Sequence, residues 1–245
     1  MKLLQGDCLE LMKDIENKSV DLILCDLPYG TTTCKWDTTI NFERLWEQYE
    51  RIIKNNGAIV LTASQPFTSI LISSNIKLFK YELIWEKNRP TGLFLAKIQP
   101  LKYHENILVF GKSKTIYNPI KWVGKPNHKR GSTKGNSEHY DTKKFNESKT
   151  DGLKYPKSVL KFDRPHPPIH PTQKPVALME YLIKTYTNEG DLVLDNCMGS
   201  GTTGVSCKNL NRDFIGMELD EKYFNIAKER IETTQSVQIK SKESK

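Results

Sequence analysis

DLVLDNCMGSGTTG, residues 191–204, runs from a short apolar strand through an acid, Asp195, into a glycine-rich turn and the start of a helix. Gly199 and Gly201, set between strand and helix, let the backbone pass close to a ligand. Thr202 follows the second glycine where a phosphate-binding Walker loop would carry lysine, which excludes that motif. The next strand, RDFIGMELD, ends on Glu218, where a carboxylate can accept hydrogen bonds from both hydroxyls of a ribose. Strand, glycine-rich turn, helix, strand and acid in this order belong to an open α/β sheet that binds a ligand at the carboxyl ends of its strands.

Working outward, KPVALMEYLIKTYTNEG is an amphipathic helix with Val176, Met179, Leu182, Ile183 and Tyr186 on one side, stopping at Gly190, and EKYFNIAKERI is a closing helix. At the other end of the chain, MKLLQGD reads as a short strand ending on Asp7, and SVDLILCDL as a strand buried on both faces that runs into Asp26. NFERLWEQYERIIKNNG carries Phe42, Leu45, Trp46, Tyr49, Ile52 and Ile53 on one stripe and is expected to stop at Asn56-Gly57, before a buried strand AIVLTAS. Strand, helix and strand in succession imply a right-handed parallel crossover. YELIWEKN and ENILVFGK read as two further strands, antiparallel at a sheet edge. Asp7, Asp26, Asp195 and Glu218 would then line one rim of a single cleft. TASQPF, residues 62–67, at the end of the neighbouring strand, either shapes the pocket or starts a helix, and carries no catalytic assignment.

The 245 residues, 37% hydrophobic and 27% charged, suit one large core with a smaller appended segment. No apolar run approaches the roughly 20 residues that span a bilayer, and the N-terminus meets acids too early for a signal peptide, so a cytoplasmic protein is expected. Five cysteines without a C-x-x-C pair argue against a disulfide framework and a zinc site. The net charge of +8 is concentrated: residues 111–169 hold fourteen Lys or Arg against five Asp or Glu, and the remainder is close to neutral. This segment is dense in Gly, Pro, Ser, Asn and Lys and lacks sustained periodicity, so it reads as an insert between two better-ordered regions, 1–110 and 170–235, with a polar tail at 236–245. Aromatics among its lysines (Tyr117, Trp122, Tyr140, Phe145, Tyr155, Phe162) point to nucleic acid, because cations neutralise phosphates while rings stack on bases. Lys121, Lys129, Arg130, Lys143 and Lys144 are the candidate DNA contacts.

DLPYG at 26–30, followed by HPTQKP, DNCMGSGTTG and GMELD, resembles the S-adenosylmethionine-dependent DNA amino-methyltransferases of the beta class, in which the catalytic motif precedes the cofactor motif. The resemblance covers nearly all of the chain outside 111–169. It implies a circularly permuted Rossmann-like class I methyltransferase sheet with an inserted basic target-recognition region. Asp26, Leu27, Pro28 and Tyr29 match the catalytic tetrad, with Leu27 where proline is commoner; that position contributes mainly its carbonyl. Asp195, Cys197, Gly199, Gly201 and Thr202 match the cofactor loop, with Cys197 where an aromatic is usual. Glu218 matches the ribose-binding acid, and Asp7, with Cys8 beside it, the acid that hydrogen-bonds the cofactor's adenine. Thr172, Gln173, Lys174 and Pro175 match the segment folded against the methionine end of the cofactor. Aspartate at the first tetrad position points to adenine; the cytosine amino group and a catalytically silent DNA-binding module are the alternatives. The implied partner is double-stranded DNA, with a homodimer and a cognate restriction endonuclease compatible with the class. The chemistry calls for no metal, and His170 with the RPHPP stretch reads as surface punctuation.

Overall fold

Period-two alternation in the central strands decides the layering. In the computed structural model, Ile23, Cys25, Ile59 and Leu61 bury on one face of a sheet, and Leu22, Leu24, Ala58 and Val60 on the other. Both faces of these strands are apolar because helices cover both. The structure describes residues 1–30, 40–124, 152–167 and 173–235.

In chain order the elements are β1 (Lys2–Gln5), α1 (Cys8–Leu11), β2 (Val20–Cys25), α2 (Phe42–Ile52), β3 (Ile53–Ala63), α3 (Phe67–Ser74), β4 (Phe79–Thr91) and β5 (Lys102–Phe110). There follow β6 (Trp122–Val123), β7 (Leu153–Lys154), β8 (Val159–Lys161), α4 (Val176–Tyr186), β9 (Leu192–Asp195), α5 (Thr202–Asn209), β10 (Asp213–Glu218) and α6 (Glu221–Thr233). Eight strands form one sheet in the order β1-β10-β9-β2-β3-β5-β4-β8. The run from β1 to β3 is parallel, β5 is antiparallel to both β3 and β4, and β8 is parallel to β4. Helices α1–α3 supply Leu9, Leu45, Trp46, Tyr49, Phe67 and Leu71 to one face, and α4–α6 supply Leu178, Leu182, Val205, Ala227 and Ile231 to the other. Strands β2 and β9 are neighbours in the sheet although far apart in sequence, which brings the ends carrying Asp26 and Asp195 together. No helix of the described residues is long and apolar enough to cross a membrane.

Two boundaries differ from the sequence expectation. Helix α2 ends at Ile52, and Asn55-Asn56-Gly57 lie inside β3 rather than capping the helix. The cause is pairing with β2, whose register shifts between Val20 and Leu22: a Cβ at Gly57 would stand 2.8 Å from the Asp21 carbonyl oxygen, so glycine is needed for the strands to approach. Asp21 is buried there, bonded to the Lys54 ammonium at 2.7 Å and to the Leu192 amide at 3.0 Å, which ties three strands together.

The second difference concerns the insert. The chain divides into one compact unit of Met1–Asn118 with Ser158–Lys245, and another of Pro119–Lys157, narrower than the compositional limits of 111 and 169. Residues 111–118 run along the larger unit, with the Ile116 amide donating to Asn56 O at 2.9 Å and the Asn118 amide to Thr185 O at 2.7 Å. Past Ser158 the chain adds β8 to the sheet edge, and Trp85 Nε1 donates to Phe162 O at 2.8 Å. Tyr117 and Phe162, expected among the nucleic-acid aromatics, lie against Tyr186 and Tyr181, with Tyr117 still exposed. In the smaller unit β6 and β7 pair antiparallel, Lys157 lies 4.8 Å over the Trp122 ring and Lys121 lies 5.2 Å over the Tyr155 ring. Of the five candidate DNA contacts, Lys121 is in this described part; Lys129, Arg130, Lys143 and Lys144 lie outside the described residues.

Candidate active site

The carboxyl ends of β1, β2, β9 and β10 open on one cavity of about 810 Å³, within the range of small-molecule sites. Asp7, Cys8, Asp26, Leu27, Pro28, Tyr29, Asp195, Cys197, Gly199, Thr202 and Glu218 all line it, as do Gln173 and Lys174; Thr172 lies outside the described residues.

Apolar β2 carries the chain to Asp26, and Pro28 ends the pairing and keeps Leu27 extended. Asp26 Oδ1 accepts hydrogen bonds from the Tyr29 hydroxyl at 2.9 Å and from the Thr62 hydroxyl, while Oδ2 accepts one from the Lys174 ammonium. Burial, then the nearby charges of Asp26 and Glu105, push the Tyr29 phenol well above its ordinary range, so it stays a donor. The Tyr29 ring stacks on Phe67 with centroids 4.8 Å apart. Of the two readings of TASQPF, the helix start holds, with α3 beginning at Phe67; none of its residues lines the cavity, and Thr62 acts on the site through the Asp26 carboxylate that it orients.

Lys174, expected at the methionine end of a cofactor, is bonded to the Asp26 carboxylate and stands 3.4 Å from Glu105 Oε2. Burial alone would lower its pKa, but the charges of Asp26 and Glu105 outweigh that and raise it, so it remains an ammonium. Glu105 is opposed by burial and carried below the usual carboxylate range by Lys174 and Lys87, the latter at 3.3 Å. Burial pulls Lys87 down, with Glu105 offsetting part of the effect. Asp26, Lys174 and Glu105, which line the cavity, and Lys87 beyond them therefore alternate in sign, the arrangement that makes buried charge tolerable. Neither Glu105 nor Lys87 was singled out from the sequence; the available signal was an acid at the start of the otherwise apolar ENILVF run.

The other half of the cavity is built on the turn after β9. Asp195 Oδ1 accepts from the Cys197 amide at 3.1 Å and Oδ2 from the Thr203 hydroxyl at 2.6 Å, so this acid shapes the turn from within. Burial pushes its carboxyl up to about 7 against those hydrogen bonds. Glu218 Oε2 accepts from the Gly199 amide at 2.8 Å and Oε1 from the Asp220 amide at 2.9 Å, leaving further lone pairs toward the cavity. Asp7 caps α1 through the Leu9 amide at 2.8 Å and is exposed at the rim. Cys197 is half-buried against the thiols of Cys8 and Cys25 and accepts from Asn196 Nδ2 at 3.5 Å.

The glycines divide their work. A Cβ at Gly199, in the left-handed region at φ 51°, would meet nothing within 4 Å, so open space adjoins this backbone. At Gly201 it would stand 3.0 Å from Ala227 Cβ: this residue, expected to approach the ligand, instead lets the turn seat against α6. Gly204 completes the G-x-G-x-x-G spacing with Gly199 and Gly201, which corrects the expectation that residue 204 is one position early for the third glycine. A Cβ there would lie 2.4 Å from Ile231 Cδ1 and 2.7 Å from Phe214 Cε1, so it permits close helix–sheet packing.

The Asp26 carboxylate and the glycine turn with Glu218 thus face one chamber, and the family model for DNA methylases of the N6/N4 type matches residues 20–229. The chain belongs to this family. The DNA methylase is 29% identical to the Type II methyltransferase M.HpaI of Haemophilus parainfluenzae over 95% of this chain and 74% of that protein. It is 31% identical to M.BglII of Bacillus subtilis over 92% of this chain and 67% of the relative. Among solved structures, the M1.HpyAVI–SAM complex superposes with a TM-score of 0.63 at 29% identity, covering 94% of the methylase and 98% of that chain.

Proposed function

We propose that this DNA methylase transfers the methyl group of S-adenosylmethionine to the exocyclic amino group of adenine in double-stranded DNA. The observation that carries the reading is the Asp26 carboxylate, held by three donors and facing the chamber that Gly199 and Glu218 also line. The residues suit the cofactor: Glu218 has acceptor capacity left for ribose hydroxyls, the space beside Gly199 is open, and Asp7 stands at the rim for the adenine ring. When bound, S-adenosylmethionine supplies a methyl group made electrophilic by its sulfonium.

The exocyclic amine of adenine is a poor nucleophile because its lone pair is delocalised into the ring. Asp26 Oδ2 and the Leu27 carbonyl accept its two hydrogens, which favours a pyramidal nitrogen with its lone pair free to attack. Tyr29, Thr62 and Lys174 hold the carboxylate in place before the base arrives, so little reorganisation is needed at reaction. The Tyr29 ring, already stacked on Phe67, offers its other face to a base extruded from the duplex. Once methylated, the nitrogen is strongly acidic and releases its proton to Asp26; no covalent enzyme intermediate is needed. Aspartate at position 26 supports adenine as the target.

Expression with a plasmid in a host without DNA methylation, followed by sequencing that distinguishes modified adenine from modified cytosine, tests this. One motif carrying N6-methyladenine is expected. N4-methylcytosine at one motif overturns the choice of base and keeps the class; unmodified DNA beside soluble protein overturns DNA methylation itself.

A further inference from the structure

β4 and β5 are joined by a tip, residues 92–101, rather than by a tight turn. Its backbone is bonded internally at four amides: those of Leu95, Ala96, Ile98 and Gln99 donate to Gly92, Leu93, Leu95 and Leu95 carbonyls at 2.9, 3.2, 2.9 and 3.0 Å. Gly92, in the left-handed region at φ 80°, opens it, and Pro90 and Pro100 bracket it. The tip is therefore an ordered projection, yet Phe94 is fully exposed, and Leu93 and Ile98 are 66% and 78% exposed. Large apolar side chains held out on a hydrogen-bonded scaffold mark a contact surface.

Position and charge identify the occupant. Thr91, where β4 enters the tip, and Glu105, where β5 leaves it, both line the cavity that contains Asp26. Arg89 and Lys97 are exposed cations flanking the apolar side chains, and residues 92–101 hold no acid, while Lys87 is buried against Glu105. A second copy of the chain would bring this positive tip against itself, whereas the phosphates of a duplex complement it. An apolar side chain flanked by cations, on a projection whose anchoring strands line a base-accepting cavity, has the chemistry of a wedge that fills the gap left in a base stack.

We propose that the tip is a DNA wedge, with Phe94 entering the stack beside the target base, supported by Leu93 and Ile98, while Arg89 and Lys97 hold the flanking phosphates. This rests on the reading of the protein as a methylase acting on an extruded base.

The test uses the full chain, the motif found by plasmid sequencing, and two duplexes: one with the target base paired, the other with an abasic site opposite it, where extrusion is easy. Phe94→Ala alters a side chain without packing partners, so the fold is kept. Single-turnover methylation by Phe94→Ala is expected to slow roughly tenfold or more on the paired duplex and to recover on the abasic one, with unchanged S-adenosylmethionine affinity and with Phe94→Leu intermediate. Equal rates for wild type and Phe94→Ala on the paired duplex, or equal loss on both duplexes, overturn the wedge alone. A fall from dimer to monomer in sedimentation on Phe94→Ala also overturns it, assigning the patch to a second copy. Failure of the wild type on both duplexes overturns the methylase reading and the wedge with it.

Discussion

Asp26 receives two hydroxyl donors on one oxygen and an ammonium on the other, so its orientation is set by residues 3, 36 and 148 positions away. Asp26→Ala is expected to lower methyl transfer by roughly a thousandfold or more while S-adenosylmethionine binding persists, since the residues proposed to hold the adenosyl group, Asp7 and Glu218, follow or end other strands. Rate measurements with labelled cofactor beside calorimetric binding check this; loss of both together would place Asp26 in the cofactor site instead. Asp195 invites a different test. Its carboxyl is carried from the ordinary 3.8 up to about 7, so the folded chain holds this proton more tightly than the unfolded chain. Between those values the folded state binds more protons, and stability falls as pH rises through that window. Asp195→Asn removes this dependence. Relative to wild type the variant should gain on the order of 2–4 kcal/mol on going from about pH 4 to about pH 8, read from urea unfolding at the two pH values.

At the scale of elements, Gly204 governs how closely α5 approaches α6 and β10. Gly204→Ala places a methyl where Ile231 and Phe214 already stand, and is expected to cost about 1–3 kcal/mol in chemical denaturation. A neutral result would show that α6 can shift without loss. The same neighbourhood shows what a linear reading can and cannot see. The strand-end acids and the glycine run were legible because each is a local pattern: an apolar run, then an acid, then a turn. The end of α2 was misplaced because Ile53 continues the helical stripe and Asn-Asn-Gly is a common stop, whereas sheet pairing to Val20 decides the matter. Strand β8 was hidden in a basic, proline-rich segment, and its three residues gain their state from Ile84, Trp85 and Glu86 across the sheet edge. The bond from Lys174 to Asp26 joins residues 148 apart, and nothing in HPTQKP alone reports that the lysine turns toward the tetrad.

For the whole molecule, charge is the property that reaches furthest. Residues 111–169 carry the entire positive excess, while the rest of the chain is nearly neutral. Replacing Lys143 and Lys144 with glutamine is expected to weaken DNA binding and to flatten its dependence on salt, by about 0.9 in logarithmic slope for each phosphate no longer neutralised. Titrations at several salt concentrations measure it; an unchanged slope would remove these lysines from the DNA interface. The undivided chamber has a consequence for inhibition. Because Asp7 and Glu218 share one continuous space with Asp26, a single compound carrying an adenosyl group tethered to a purine could occupy both ends at once. Its second half would then bind at the effective concentration set by the tether, giving affinity well beyond that of either fragment.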